Sequence, residues 1–250
     1  MNVQSDRFIE SVKLTGEIPE DSYLRDIPAV EWLMEQRELR LWADVVFLVG
    51  ENGSGKSTVL EAIAAAAGFN PEGGTRNYSF STSDTHSELF RHITLCRSYR
   101  RPANGYFLRA EGMYNAASYL DKLDELPGQS ALHLYGGRSL HSRSHGESFL
   151  AVISAFRGGG LYLLDEPEAA LSPVRQLTLL SLINELVADG SQFIIATHSP
   201  ILMAYPNAQI LLFSENGITP TAYKQTEHYQ ITKQFLDDPQ RMLGLILGKN

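Results

Sequence analysis

Three things are scarce in this chain, and each scarcity excludes something. Cysteine occurs once in 250 residues, at Cys96. One chain therefore holds neither a disulfide framework nor a multi-cysteine zinc site, and a reducing, cytoplasmic setting is expected. Apolar runs are short, and none approaches the roughly 18 residues of a spanning helix. The start, Met1 to Arg7, carries no apolar signal-peptide run either. Direct membrane insertion is not expected, so any membrane anchor belongs to another chain. Positive charge is the third: 21 Lys and Arg stand against 29 Asp and Glu, a net charge of −8. No global field draws such a protein to nucleic acid, and Arg97, Arg100 and Arg101 read as a solvated face.

What is present is an ordinary globular composition, 43% hydrophobic and 20% charged, enough for one large domain with a true core. Residues 8–14 alternate loosely and read as an early strand, and residues 28–41 have helical spacing through Val30, Leu33, Met34 and Leu41. Val45 to Val49 is an unbroken apolar run, the mark of a strand buried on both faces of a parallel sheet. A glycine-rich turn and an alanine-rich helix, Thr58 to Ala67, follow. The middle is less regular, with a strand-like Gly105 to Leu108, a helix expected over Met113 to Leu126, and a Gly-, Ser- and His-rich loop. From about 80 to 148 it reads as an inserted, partly helical lobe of a single domain spanning 1–250. Alternation resumes with a helix from Phe149 to Phe156 and a strand at Leu161 to Leu164. A helix from Pro173 to Ala188, with Ser172 as N-cap, and strands at Phe193 to Ala196 and Ile210 to Phe213 complete it. Asn216-Gly217 signals a tight turn. The expected class is α/β, a doubly wound and mostly parallel sheet.

Four short segments carry chemistry. Gly50-Glu51-Asn52-Gly53-Ser54-Gly55-Lys56-Ser57, followed by Thr58, matches the phosphate-binding loop. Its glycines let several backbone N–H groups converge on one anion, Lys56 would reach the β- and γ-phosphates, and Ser57 would ligate Mg²⁺. A plain glycine turn would account for Gly50 but not for the lysine and two further glycines. Asp165-Glu166 directly follows a buried strand, where open α/β sheets bind ligands. Asp165 would hold the metal, and Glu166 would orient and deprotonate the attacking water. Thr197-His198-Ser199 ends the next buried strand, and His198 would sense the γ-phosphate. Ser144-His145-Gly146-Glu147-Ser148 opens an apolar helix. Ser144 and Glu147 have capping-box spacing, and the same helix start offers N–H groups and a positive dipole end to an anion.

In this order the four segments resemble the ATP-binding-cassette ATPase superfamily, in particular the chromosome-maintenance and recombination-repair branch and the small stand-alone bacterial ATPases without coiled-coil arms. The resemblance implies a P-loop NTPase fold with an antiparallel N-terminal strand region. It implies ATP and Mg²⁺ as cofactors and ATP hydrolysis in a head-to-tail homodimer whose nucleotide state switches an effector protein. Ser144 and Gly146 would then touch the nucleotide of the second subunit. Ala169 to Ser172 resembles the loop that meets that subunit, while Ser172 also suits a helix cap. A DNA-associated or defence-system subunit, a transporter's nucleotide-binding subunit and a scaffold without turnover are the competing roles. The transporters' coupling glutamine has no counterpart between Thr58 and Gly128; Glu111 is a candidate stand-in, and Tyr23 a candidate for stacking on adenine. ATP over GTP rests on the resemblance alone.

Overall fold

The computed structural model describes residues 7–75, 87–109 and 145–248. In chain order these form β1 (Ile9–Leu14), a 3₁₀ turn (Tyr23–Asp26), α1 (Pro28–Gln36), β2 (Glu38–Arg40), β3 (Val45–Gly50) and α2 (Lys56–Ala67). Next come β4 (Ile93–Arg97), β5 (Asn104–Arg109), α3 (His145–Ser154), β6 (Gly160–Asp165) and a 3₁₀ turn (Pro167–Ala170). The chain continues through α4 (Pro173–Ala188), β7 (Gln192–Ala196), β8 (Gln209–Ser214), β9 (Gly217–Thr221), α5 (Glu227–Asp237) and α6 (Pro239–Leu247).

Two sheets form. The larger runs β5-β6-β7-β3-β8-β9, parallel throughout except for β9, which returns antiparallel on β8 through the expected turn. Every residue of β3, β6 and β7 is buried, which is why these strands read as continuous apolar runs. Their alternate side chains feed two separate cores. Val46, Leu48, Ile194 and Leu163 pack with α1, α2 and the small sheet, whereas Phe47, Val49, Ile195 and Leu164 pack with α3 and α4. At about 1.5–3 kcal/mol per buried large apolar side chain, a one-residue slip would exchange both sets, so the register is fixed.

The smaller sheet is antiparallel, β2-β1-β4. Two buried glutamines join it to the larger one. Gln192 Oε1 accepts from the amides of Phe8 and Ile9 while its Nε2 donates to Ile9 O; Gln209 does the same for Trp42 N and Arg40 O.

Three expectations change. The helix expected over 28–41 stops at Gln36, because Arg37 adopts a left-handed φ of 64° and the chain turns straight into β2. The alanine-rich helix begins two residues earlier than expected, at Lys56. The helix expected to Phe156 ends at Ser154. Within the stretch expected to be inserted, β4 pairs with β1 and β5 forms an edge of the large sheet. The helix expected over Met113 to Leu126, Glu111 and Ser144 lie outside the described residues.

Candidate functional site

The strand order explains the site. β5, β6, β7 and β3 are successive neighbours with their C-terminal ends on one edge, which brings Arg109, Asp165-Glu166, Thr197-His198 and the Gly50–Lys56 loop into one row. This is the edge at which open parallel sheets bind ligands.

The loop after β3 needs its glycines. Gly50, Gly53 and Gly55 have φ of 139°, 81° and 98°, a region that side chains disfavour. A Cβ on Gly50 would stand 2.0 Å from the carbonyl oxygen of Phe213, and one on Gly55 would stand 2.6 Å from Ile27 Cγ2. At Gly53 there is open space, so only its backbone conformation demands glycine. Ser54 is buried and closes the loop by donating to Glu51 O at 2.8 Å. Asn52 lies with Gly50, Glu51, Gly53 and Ser54 on a cleft of about 730 Å³ that opens toward Asp26, Phe213, Gln225 and His228.

Lys56 is 4% exposed, and its ammonium donates to Gly50 O at 2.8 Å and Glu51 O at 2.7 Å. The sequence suggests a mobile point charge; the structure shows a buried cation held by the loop's own carbonyls. Burial lowers its pKa, while Glu166, Asp165, Glu168 and Glu51 oppose that shift. Ser57 Oγ donates to Asp165 Oδ1 at 3.1 Å, and Thr58 follows in the first turn of α2. Asp165 is 8% exposed. Burial pushes its pKa up to about 6, against the Ser57 hydrogen bond and the Arg109 charge.

Arg109, which the sequence reading passed over, ends β5 in register with Asp165. Its Nε lies 3.9 Å from Asp165 Oδ2 and its Nη1 3.2 Å from Glu61 Oε2, so one cation bridges two carboxylates. Its place directly after the strand-like Gly105 to Leu108 was the available signal.

Glu166 sits in the left-handed region at φ 49°, ψ 52°, an uncommon conformation for a non-glycine residue. Its amide donates to Ala196 O, and its side chain, 44% exposed, leaves the sheet edge toward His198, whose Nε2 lies 3.6 Å from Glu166 Oε1. His198 is held from behind. Glu168 accepts from Thr197 Oγ1 at 2.7 Å and, by a short bond, from the amide of His198. Thr197 Oγ1 accepts from Ser199 N, and Ser199 Oγ donates to the buried Gln176 Oε1 at 2.5 Å. Burial, then Lys56, lowers the His198 pKa, so the ring is neutral near pH 7. Burial raises that of Glu168. Glu168 was not singled out in the sequence because its partners lie about thirty residues away.

Gly146 lies in the first turn of α3, and Glu147 reaches Arg175 of α4 at 3.6 Å. Ser172 holds the N-cap position of α4 without making a side-chain cap bond. Tyr23 is 54% exposed on the turn whose last residue, Asp26, borders the cleft.

The residues suit a magnesium–triphosphate group on several counts. Two glycines stand where a Cβ would collide, the buried cation is satisfied only by carbonyls among the described residues, and Ser57 and Asp165 offer hard oxygen donors. In addition, His198 Nε2 is buried with no hydrogen-bond partner among the described residues. A parallel sheet, a glycine loop opening a helix and acidic residues at the adjoining strand end define a P-loop nucleotide-binding protein.

Comparison with known proteins carries the class further. The family model described as "AAA domain, putative AbiEii toxin, Type IV TA system" matches residues 45–102 and 137–204. The thiamine import ATP-binding protein ThiQ of Cereibacter sphaeroides is 30% identical over 189 residues, 67% of this chain and 79% of that protein. The hemin import ATP-binding protein HmuV of Pseudomonas fluorescens is 27% identical over 216 residues, 80% of this chain and 78% of that protein. The energy-coupling factor transporter ATP-binding protein EcfA2 of Lactobacillus delbrueckii subsp. bulgaricus is 28% identical over 176 residues, 62% of this chain, and the chain spans 59% of its length. Among solved structures, cbiO1 from Clostridium perfringens superposes with a TM-score of 0.49 at 18% identity, over 96% of this chain and 99% of that one. The chain belongs to the AAA-domain family that the model describes and is an ATP-binding, ABC/AAA-type P-loop ATPase. No helix among the described residues is long and apolar enough to cross a membrane.

Proposed function

We propose that this ATPase works as a Mg²⁺-dependent, ATP-sandwiched head-to-tail homodimer whose nucleotide state switches a partner protein. The observation that supports it is the row of Lys56, Ser57, Asp165, Glu166 and His198 on one sheet edge. In this reading the loop amides from Gly50 to Thr58 and Lys56 hold the phosphates, and Ser57 and Asp165 hold the metal, which offsets phosphate charge when bound. Glu166 takes a proton from the attacking water, and His198 Nε2 donates to a γ-phosphate oxygen. Ser144, and Gly146 in the first turn of α3, meet the nucleotide of the second subunit. ATP closes the dimer only as far as the closed state binds it better than the open one, and γ-phosphate loss removes that difference.

The test is the mass in solution of Glu166→Gln, which retains ATP, with and without ATP and Mg²⁺. A dimer that requires both supports the reading, and a monomer under saturating MgATP refutes it.

The partner is open to two readings, both consistent with a cytoplasmic ATPase. The family model's description favours a defence-type effector, whereas two of the relatives, HmuV and ThiQ, are named as ATP-binding proteins of import systems. Capture by the ATP-held Glu166→Gln protein separates them: an integral membrane protein supports the second reading, a soluble effector the first. ATP turnover stimulated by DNA and fading with salt would instead mark a nucleic-acid partner.

A further inference from the structure

A second histidine reaches the same sheet edge from the far end of the chain. His228 is the second residue of α5, and its Nε2 lies 3.0 Å from Nδ1 of His198. The rings are tilted by 57° with centroids 5.2 Å apart. The two outer nitrogens, His198 Nε2 and His228 Nδ1, are buried without hydrogen-bond partners among the described residues. The helix start that carries His228 is anchored. Thr226, fully buried, caps α5 by accepting from Tyr229 N at 3.3 Å and is itself tied to Tyr223 O at 2.8 Å.

A hydrogen bond between two imidazoles needs one N–H and one bare nitrogen. For neutral rings this leaves two arrangements. In the first, His198 donates from Nδ1, so its bare Nε2 faces the Glu166 carboxylate, 3.6 Å away, and two acceptors oppose each other. His228 is then left with a buried, unpaired N–H, the costlier kind of orphan. In the second, His228 donates from Nε2 and keeps only a bare nitrogen inside. His198 then carries its proton on Nε2, pointed toward Glu166. The surroundings favour neutral rings: burial and the Lys56 charge act on both, against the carboxylates of Glu166 near His198 and of Glu227 and Glu168 near His228.

We propose that His228 is a positioning residue. By donating from its Nε2 to Nδ1 of His198, it fixes the tautomer that presents an Nε2 proton to the terminal oxygens of a bound nucleoside triphosphate. The proposal rests on the ATP-site reading above, but the tautomer is a property of the nucleotide-free protein. It also makes α5 a direct neighbour of the group that meets the γ-phosphate.

The test is a long-range ¹H–¹⁵N spectrum of the histidine rings in the intact, nucleotide-free protein at pH 7.5, which separates protonated from bare nitrogens. His198 is expected with bare Nδ1 and protonated Nε2, and His228 with protonated Nε2. A His198 protonated on Nδ1 overturns the proposal. In steady-state turnover, His228→Phe removes the donor while keeping a ring and is expected to lower kcat about tenfold, with KM for ATP changed less than about twofold. His228→Gln, which retains an amide donor, is expected to recover most of that loss. Equal losses in both variants overturn the positioning role, and where a melting curve shows that a variant does not fold, the wild-type spectrum decides. The ATP-site reading fails separately, through undiminished ATP turnover by Lys56→Ala.

Discussion

Asp165 is a place where function and stability pull against each other. Its carboxyl is buried, and its pKa rises from 3.8 to about 6, chiefly through burial. The native state therefore holds a proton that the unfolded chain releases between about pH 4 and 6. Stability from this group is fully present below the unfolded pKa and is lost as pH rises through the folded one. The rise corresponds to about 3 kcal/mol at neutral pH, borne by the nucleotide-free protein. Asp165→Asn removes the buried charge and keeps an acceptor for Ser57, but it presents an amide to Arg109 instead of a carboxylate. A net stabilisation of about 1–2 kcal/mol at pH 7.5 follows, a rise in Tm of roughly 2–8 °C for a domain of this size. At pH 4 the gain should vanish, since the wild-type carboxyl is then protonated too. The assay is thermal unfolding of both proteins without nucleotide or Mg²⁺ at the two pH values. A variant less stable than wild type at pH 7.5, or a difference independent of pH, would refute the reasoning.

The other predictions concern the loop and the support of His198. Gly53→Ala should cost about 1–2 kcal/mol of stability, because only its left-handed backbone objects. Gly50→Ala should cost at least twice that, because its new methyl meets the Phe213 carbonyl; urea unfolding of the pair checks the ranking. Glu168→Gln leaves one oxygen to serve both Thr197 Oγ1 and the His198 amide, so kcat should fall about tenfold with KM for ATP nearly unchanged. A fall confined to KM would show that Glu168 serves binding rather than the position of His198.

How much was readable from the residues depended on how local each cause was. β3, β6, β7 and β8 could be placed because double-sided burial demands unbroken apolar runs, and the phosphate loop because its glycines answer to backbone geometry at fixed spacing. The end of α1 could not be placed, since a left-handed arginine rather than a glycine stops it. β4 was missed because Ile93–Arg97 is only partly buried and carries no clean alternation. No side chain of α5 or α6 is fully buried, and Phe235, Leu236 and Ile246 remain exposed, so no core pattern announced them. Within the site, the residues that touch one another across adjoining strands, Arg109 with Asp165 and Glu168 with Thr197, needed the strand order before they could be named.

The central claim is that the amides between Gly50 and Thr58, with the Lys56 ammonium, hold a triphosphate. Calorimetric titration of MgATP into the intact protein and into Lys56→Ala tests it most directly. Exchange of two carbonyl contacts for charge-assisted phosphate contacts is worth about 3 kcal/mol, so binding in the variant should weaken by about a hundredfold or more. Equal affinity in the two proteins would contradict the account.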